Sequence, residues 1–162
     1  MVAIIKGPAG SGKTTQALNY FKDFPKVWVW NFYLDRNYDD RNKFNVYSGD
    51  DILFFYNLIN NSSKKTPIII DTLNIALTEC LGKSTYFEEG EEDTILLQDF
   101  SNFIKFCYLQ QVDLVLIVDT PNLDTKGSHH SRKYMSDLHV SKLLKELEEQ
   151  IPCLVTRPEW KI

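Results

Sequence analysis

The sequence predicts an α/β protein, a mainly parallel sheet flanked by helices, built as one domain over residues 1–162. Three observations carry this. Short apolar runs of strand length alternate with segments of helical period, the pattern of a sheet whose strands are joined by helices. Two of those runs, "PIII" and "LVLIV", each lead directly into an aspartate, Asp71 and Asp119. A glycine-rich stretch, "GPAGSGKTT" from Gly7 to Thr15, sits between an apolar strand and a helical segment. With 43% hydrophobic residues in 162, the chain can bury one sizeable core and is too short for two ordinary domains.

The elements follow in order. Val2–Ile5 is the first strand, and a helix after Gly12 carries Ala17, Leu18 and Phe21 on one side before stopping near Pro25. "VWVW" at Val27–Trp30 is β-branched and aromatic, hence a strand, and it opens into the polar stretch "NFYLDRNYDDRN". Asn45–Tyr47 is a further short strand, after which Asp50 or Asp51 caps a helix bearing Ile52, Phe55, Leu58 and Ile59. Pro67–Ile70 is the next strand, followed by a long loop that includes the acidic "FEEGEED". A helix with Phe100, Phe103, Ile104 and Cys107 on one face then leads to strand Leu114–Val118. Over residues 138–150 periodicity predicts a helix, because Val140, Leu143, Leu144, Leu147 and Ile151 share one face. Ile151, Cys153 and Val155 alternate, which predicts a closing strand.

Composition excludes some classes of function. The longest apolar runs fall far short of the roughly 20 residues that cross a bilayer, and the N-terminus lacks a signal-peptide pattern, so no membrane role is expected. Cys80, Cys107 and Cys153 are odd in number and widely spaced, as for reduced thiols in the cytoplasm. A net charge of −4 confines any nucleic-acid contact to a local patch.

The opening stretch reads G-x-x-x-x-G-K-T, with an apolar strand before it and a helix after it. Glycines at 7, 10 and 12 allow the backbone to turn and come close to a polyphosphate. Main-chain N–H groups from Gly10 through Ser11 and Gly12 to Thr15 would then point at it, aided by the positive end of the helix. Lys13, expected as an exposed ligand, would reach the β/γ-phosphates, and the Thr14 hydroxyl would bind Mg²⁺. The metal also needs a carboxylate at the end of a buried strand. Asp71 and Asp119 both qualify; strand order favours Asp71, leaving the later strand to supply a γ-phosphate sensor.

From Val2 to about Thr120 this order of parts resembles the ATPase core of the RecA/RadA/KaiC family of P-loop NTPases. "IIIDTLN" resembles the strand whose aspartate assists the metal, and "VDLVLIVDTPN" stands in place of the sensor strand, with Thr120 at the sensor position. "SDLHV" followed by "CLVTRPEW" is similar to the closing β-hairpin of that family, and so favours a hairpin where periodicity favours a helix. The resemblance implies Mg-ATP as cofactor, a site shared between subunits of a homo-oligomer, and Arg157 as an arginine finger. It also implies an acidic residue at the end of the second strand, where Phe32 and Tyr33 stand instead and Asp35 is the nearest substitute.

The leading expectation is therefore an ATP-hydrolysing RecA-like protein that couples nucleotide state to DNA or a protein partner. Lys126, Arg132 and Lys133 lie near His129, His130 and Tyr134, and suit phosphate and stacking contacts with single-stranded DNA. A small-molecule phosphotransferase is the alternative, with Asp35 and Arg36 orienting an acceptor hydroxyl and Arg132 and Lys133 as a lid. A nucleotide-dependent assembly switch with little hydrolysis is a third.

Overall fold

The computed structural model describes residues 1–32, 38, 43–81, 91–120 and 137–157. Among these residues the apolar runs form six strands: β1 (Val2–Gly7), β2 (Val27–Trp30), β3 (Phe44–Tyr47), β4 (Ile68–Asp71), β5 (Leu114–Asp119) and β6 (Leu154–Thr156). Among the described residues five helices lie between them: α1 (Lys13–Tyr20), α2 (Leu53–Asn60), α3 (Leu73–Leu81), α4 (Glu91–Leu109) and α5 (Asp137–Gln150). Among the described residues the strands make one sheet in the order β3-β2-β4-β5-β1-β6, and every pairing in it is parallel.

That order explains how the helices are shared between the two faces. From β1 the chain moves three places across the sheet to β2 and one further to β3; from β3 onward every step runs in the opposite direction. Right-handed crossovers put connections of opposite direction on opposite faces. The packing follows this rule. Ala17 of α1, Phe21 just after that helix and Tyr38 of the β2–β3 connection cover one face, against Ala3, Ile5, Val29, Ile69, Val115 and Ile117. Residues of α2, α3, α4 and α5 cover the other, around Ile4, Trp30, Ile68, Ile70, Leu114 and Leu116. Alternate residues of each central strand thus enter different cores, as the period of two requires. On the thicker face the Trp30 and Phe100 rings stack with centroids 5.6 Å apart.

Two expectations are corrected here. Residues 138–150 are not part of a β-hairpin: they lie within the helix α5, and β6 runs parallel to β1. Adding β6 in parallel beyond β1 needs a crossover, and α5 supplies it. Val140, Leu143, Leu144 and Leu147 sink into the thicker core, each Leu contributing about 1.5–3 kcal/mol by burial. The second correction concerns the segment after Asp71, expected as loop, where α3 begins at once. Leu73, Ala76 and Leu77 fall at helical spacing and are fully buried. Elsewhere the elements lie close to where the sequence places them. Of the two proposed caps for α2, Asp51 acts: its Oδ1 accepts the Leu53 N–H at 3.0 Å. No helix among the described residues is long and apolar enough to cross a membrane.

Candidate functional site

The glycine-rich loop leaves β1 at Gly7 and turns at once, the Ser11 N–H donating to the Pro8 carbonyl at 3.2 Å. Gly10 and Gly12 have φ of +78° and +82°, a left-handed conformation that side chains with a Cβ resist. Gly12 is the residue before α1, and its carbonyl accepts the Gln16 N–H at 3.0 Å. A helix leaves its first-turn N–H groups without intrahelical partners and carries partial positive charge at that end. No acidic residue in the first turn of α1 offsets that charge. Residues 9–15, with Thr72, Ile117 and Asp119, enclose a cavity of about 240 Å³.

Lys13 is buried, at 5% exposure, rather than exposed as the sequence suggested. Its stem folds beneath the loop, and the ammonium donates to the Pro8 carbonyl at 2.7 Å and to Ser11 Oγ at 3.5 Å. The same ammonium pairs with Asp119 Oδ1 at 2.9 Å. Asp119 is held by its own backbone: its N–H donates to Asn74 Oδ1 at 2.9 Å, and its carbonyl accepts from Asn74 Nδ2 at 3.1 Å. One residue on, the Thr120 N–H donates to the Gly7 carbonyl at 3.0 Å, tying the end of β5 to the start of the loop.

Alternation along the strands collects the polar groups. Trp30, Ile70 and Val118 point into the thicker core. The residues that follow them, Asn31, Asp71 and Asp119, are therefore directed to the face of α1, at the C-terminal ends of β2, β4 and β5. In open parallel sheets this end is where ligands bind. Asp71 is 3% exposed, and its Oδ2 accepts from Thr14 Oγ1 at 3.3 Å and from the Tyr38 hydroxyl at 2.9 Å. Tyr38 in turn accepts from Asn31 Nδ2 at 2.7 Å. The Asp71–Thr72 peptide bond is cis. Thr72 lines the cavity, and its hydroxyl is buried with no hydrogen-bond partner among the described residues.

Of the residues singled out in the sequence, Gly7, Gly10, Ser11, Gly12, Lys13, Thr14, Thr15, Asp71, Asp119 and Thr120 all gather at this end of the sheet. Within the pair at the end of β5, it is the side chain of Asp119 that meets Lys13. Arg157 is exposed and follows the edge strand β6, whose Thr156 hydroxyl accepts from Gln16 Nε2 of α1 at 3.0 Å. Asp35, Arg36, Lys126, His129, His130, Arg132, Lys133 and Tyr134 lie outside the described residues. Sequence reasoning missed Asn31, Tyr38, Thr72 and Asn74. Asn31 and Asn74 had a signal, each being a polar residue at or just beyond the end of an apolar strand.

Among the described residues no three His, Cys, Asp or Glu side chains cluster as a metal cage. The donor set of Thr14 and Asp71 fits a different kind of metal site, one in which Mg²⁺ takes one or two protein oxygens and completes its shell with phosphate and water. Compared with known proteins, the chain matches no protein-family model and no curated protein sequence.

Proposed function

We propose that this chain binds Mg-ATP in the cavity of the glycine-rich loop and acts as a slow RecA-like P-loop ATPase, coupling nucleotide state to DNA or a protein partner in the cytoplasm. The observation that carries the reading is the convergence of Lys13, Thr14 and Asp71 on the ends of parallel strands beside the start of α1. Loop N–H groups and the Lys13 ammonium are the complement of a polyphosphate. The buried, unpartnered hydroxyl of Thr72 is a further group that a ligand in the cavity would satisfy.

Thr14 and Asp71 would hold the magnesium, which supplies positive charge against the β- and γ-phosphate oxygens. Strand order supports the division of labour between the two aspartates. β5 lies between β1 and β4, so its end, with Asp119 and Thr120, adjoins the loop and suits a sensor, while Asp71 reaches Thr14. Slow turnover is the expectation at the end of β2, where Asn31, Phe32 and Tyr33 stand in place of an acidic residue and Asp35 is the nearest substitute; a carboxamide cannot take a proton from water as a carboxylate does. The same feature favours an assembly switch as the second reading. Arg157, exposed beyond an edge strand, is the candidate for a guanidinium lent to the site of a neighbouring copy.

Calorimetric titration of ATP with and without MgCl₂ tests the reading. Wild type should bind, and Lys13→Ala should lose at least tenfold in affinity while keeping its circular dichroism. The fold survives because the Asp119 left behind is more than a third exposed and stays hydrated. Equal ATP affinity in a folded Lys13→Ala protein refutes the phosphate-binding role. Turnover stimulated by single-stranded DNA supports the coupled ATPase, whereas turnover that appears only with a nucleoside acceptor refutes it in favour of a phosphotransferase.

A further inference from the structure

Among the described residues no carboxylate follows β2, yet the site is built around what stands there. Asn31 and Tyr38 are 1% and 7% exposed, so two polar side chains have been taken out of water at a place where apolar ones would pack. Burial of that kind is unfavourable unless the groups bond to each other or to something that needs them. Both conditions are met. Asn31 Nδ2 donates to the Tyr38 oxygen at 2.7 Å, and the Tyr38 hydroxyl donates to Asp71 Oδ2 at 2.9 Å. Thr14 Oγ1 approaches the same oxygen, Oδ2, at 3.3 Å. The chain Asn31–Tyr38–Asp71–Thr14 therefore links the ends of β2 and β4 to the first turn of α1. The Tyr38 ring is seated in the core of the α1 face, its centroid 5.9 Å from that of Phe44.

We infer that Tyr38 is a positioning residue for the carboxylate of Asp71, with Asn31 orienting the phenol. The inference rests on the reading of Thr14 and Asp71 as the magnesium-side groups. A carboxylate on a strand end can rotate about its terminal bond, and a rotated Asp71 would no longer face the Thr14 hydroxyl. A short bond from a phenol whose ring is packed and whose oxygen is held by an amide removes that freedom before any ligand arrives. In this protein the connection from β2 thus supplies an orienting hydroxyl group to the metal-side residues.

The test is ATP binding by the full chain, measured calorimetrically with EDTA and across a MgCl₂ titration. Tyr38→Phe keeps the ring and removes the proton donor. It should leave Mg-free ATP affinity within about twofold of wild type and reduce the magnesium-dependent gain about tenfold, the lower end of what loss of a group that orients a metal ligand produces. Asn31→Ala should change the gain in the same direction by a smaller factor, and adding it to Tyr38→Phe should do little more. A merely structural role would move the melting temperature and both affinities together, leaving their ratio alone. An unchanged magnesium gain in folded Tyr38→Phe overturns the inference; should that variant fail to fold, an unchanged gain in Asn31→Ala does so. Absence of magnesium-dependent ATP binding in wild type would instead overturn the nucleotide-site reading, and this inference with it.

Discussion

The ammonium of Lys13 and the carboxylate of Asp119 meet at 2.9 Å inside the glycine-rich loop, where a phosphate group would need the same ammonium. Under the proposed function the carboxylate would be an internal competitor of that phosphate. Asp119 is more than a third exposed, so water screens the pair and its contribution is modest. Asp119→Asn should tighten Mg-free ATP binding a few-fold. Asp71→Asn should leave that affinity nearly unchanged and abolish most of the gain from magnesium, because it removes the carboxylate beside Thr14. Titrations of both variants with and without MgCl₂ check this. A larger loss of the magnesium gain in Asp119→Asn would exchange the roles of the two strands.

Asn74 concerns stability. Its carboxamide makes two hydrogen bonds to the backbone of Asp119, at 2.9 and 3.1 Å, and so joins the start of α3 to the end of β5. At about 0.5–1.5 kcal/mol for each bond, Asn74→Ala should destabilise the protein by about 1–3 kcal/mol. Asn74→Asp keeps an acceptor but loses the donor, and should fall between alanine and wild type unless its charge repels the Asp119 carbonyl. Urea denaturation gives the ordering; an alanine variant as stable as wild type would remove the clamp from the account.

Cys107 sets a pH dependence. The thiol is fully buried on α4, and burial pushes its pKa from 9.0 up to about 12. The folded state therefore keeps a proton that the unfolded chain releases. Stability from this group is complete below about 9.0 and is lost as the pH rises toward about 12. Between those values it falls by about 1.4 kcal/mol per pH unit. Cys107→Ala should lower stability at neutral pH through its cavity, yet decline less steeply above pH 9, by the equivalent of one proton. Parallel curves for the two proteins would contradict the assignment.

Much of this was legible in the sequence because the signals were local. "VWVW" and "LVLIV" can only be strands in a chain of this design, and the loop motif names its own residues between Gly7 and Thr15. The direction of β6 was not local. Whether residues 138–150 form a hairpin arm or a crossover depends on which side of β1 the last strand joins, and periodicity, which reported the helix, was the better guide. α3 was overlooked because the face of Leu73, Ala76 and Leu77 is short. Tyr38 lay beyond reach for a different reason. Its partners Asn31 and Asp71 are brought to it by the sheet, and nothing in "DRNYDD" marks one tyrosine as facing inward.

The uneven distribution of helices between the two faces of the sheet has a consequence for how the molecule comes apart. Among the described residues α1 is held by few large side chains, with Phe21 just past its end foremost, whereas α4 anchors Phe100, Phe103, Ile104 and Cys107 in a core shared with three other helices. Openings that free α1 need not disturb that core, so among the described helices its amides should be the least protected and those of α4 the most protected. The loop and α1 form one continuous stretch, so any ligand the loop grips also anchors the thin layer. Ligand occupancy and the local melting of that layer are then two readings of the same equilibrium.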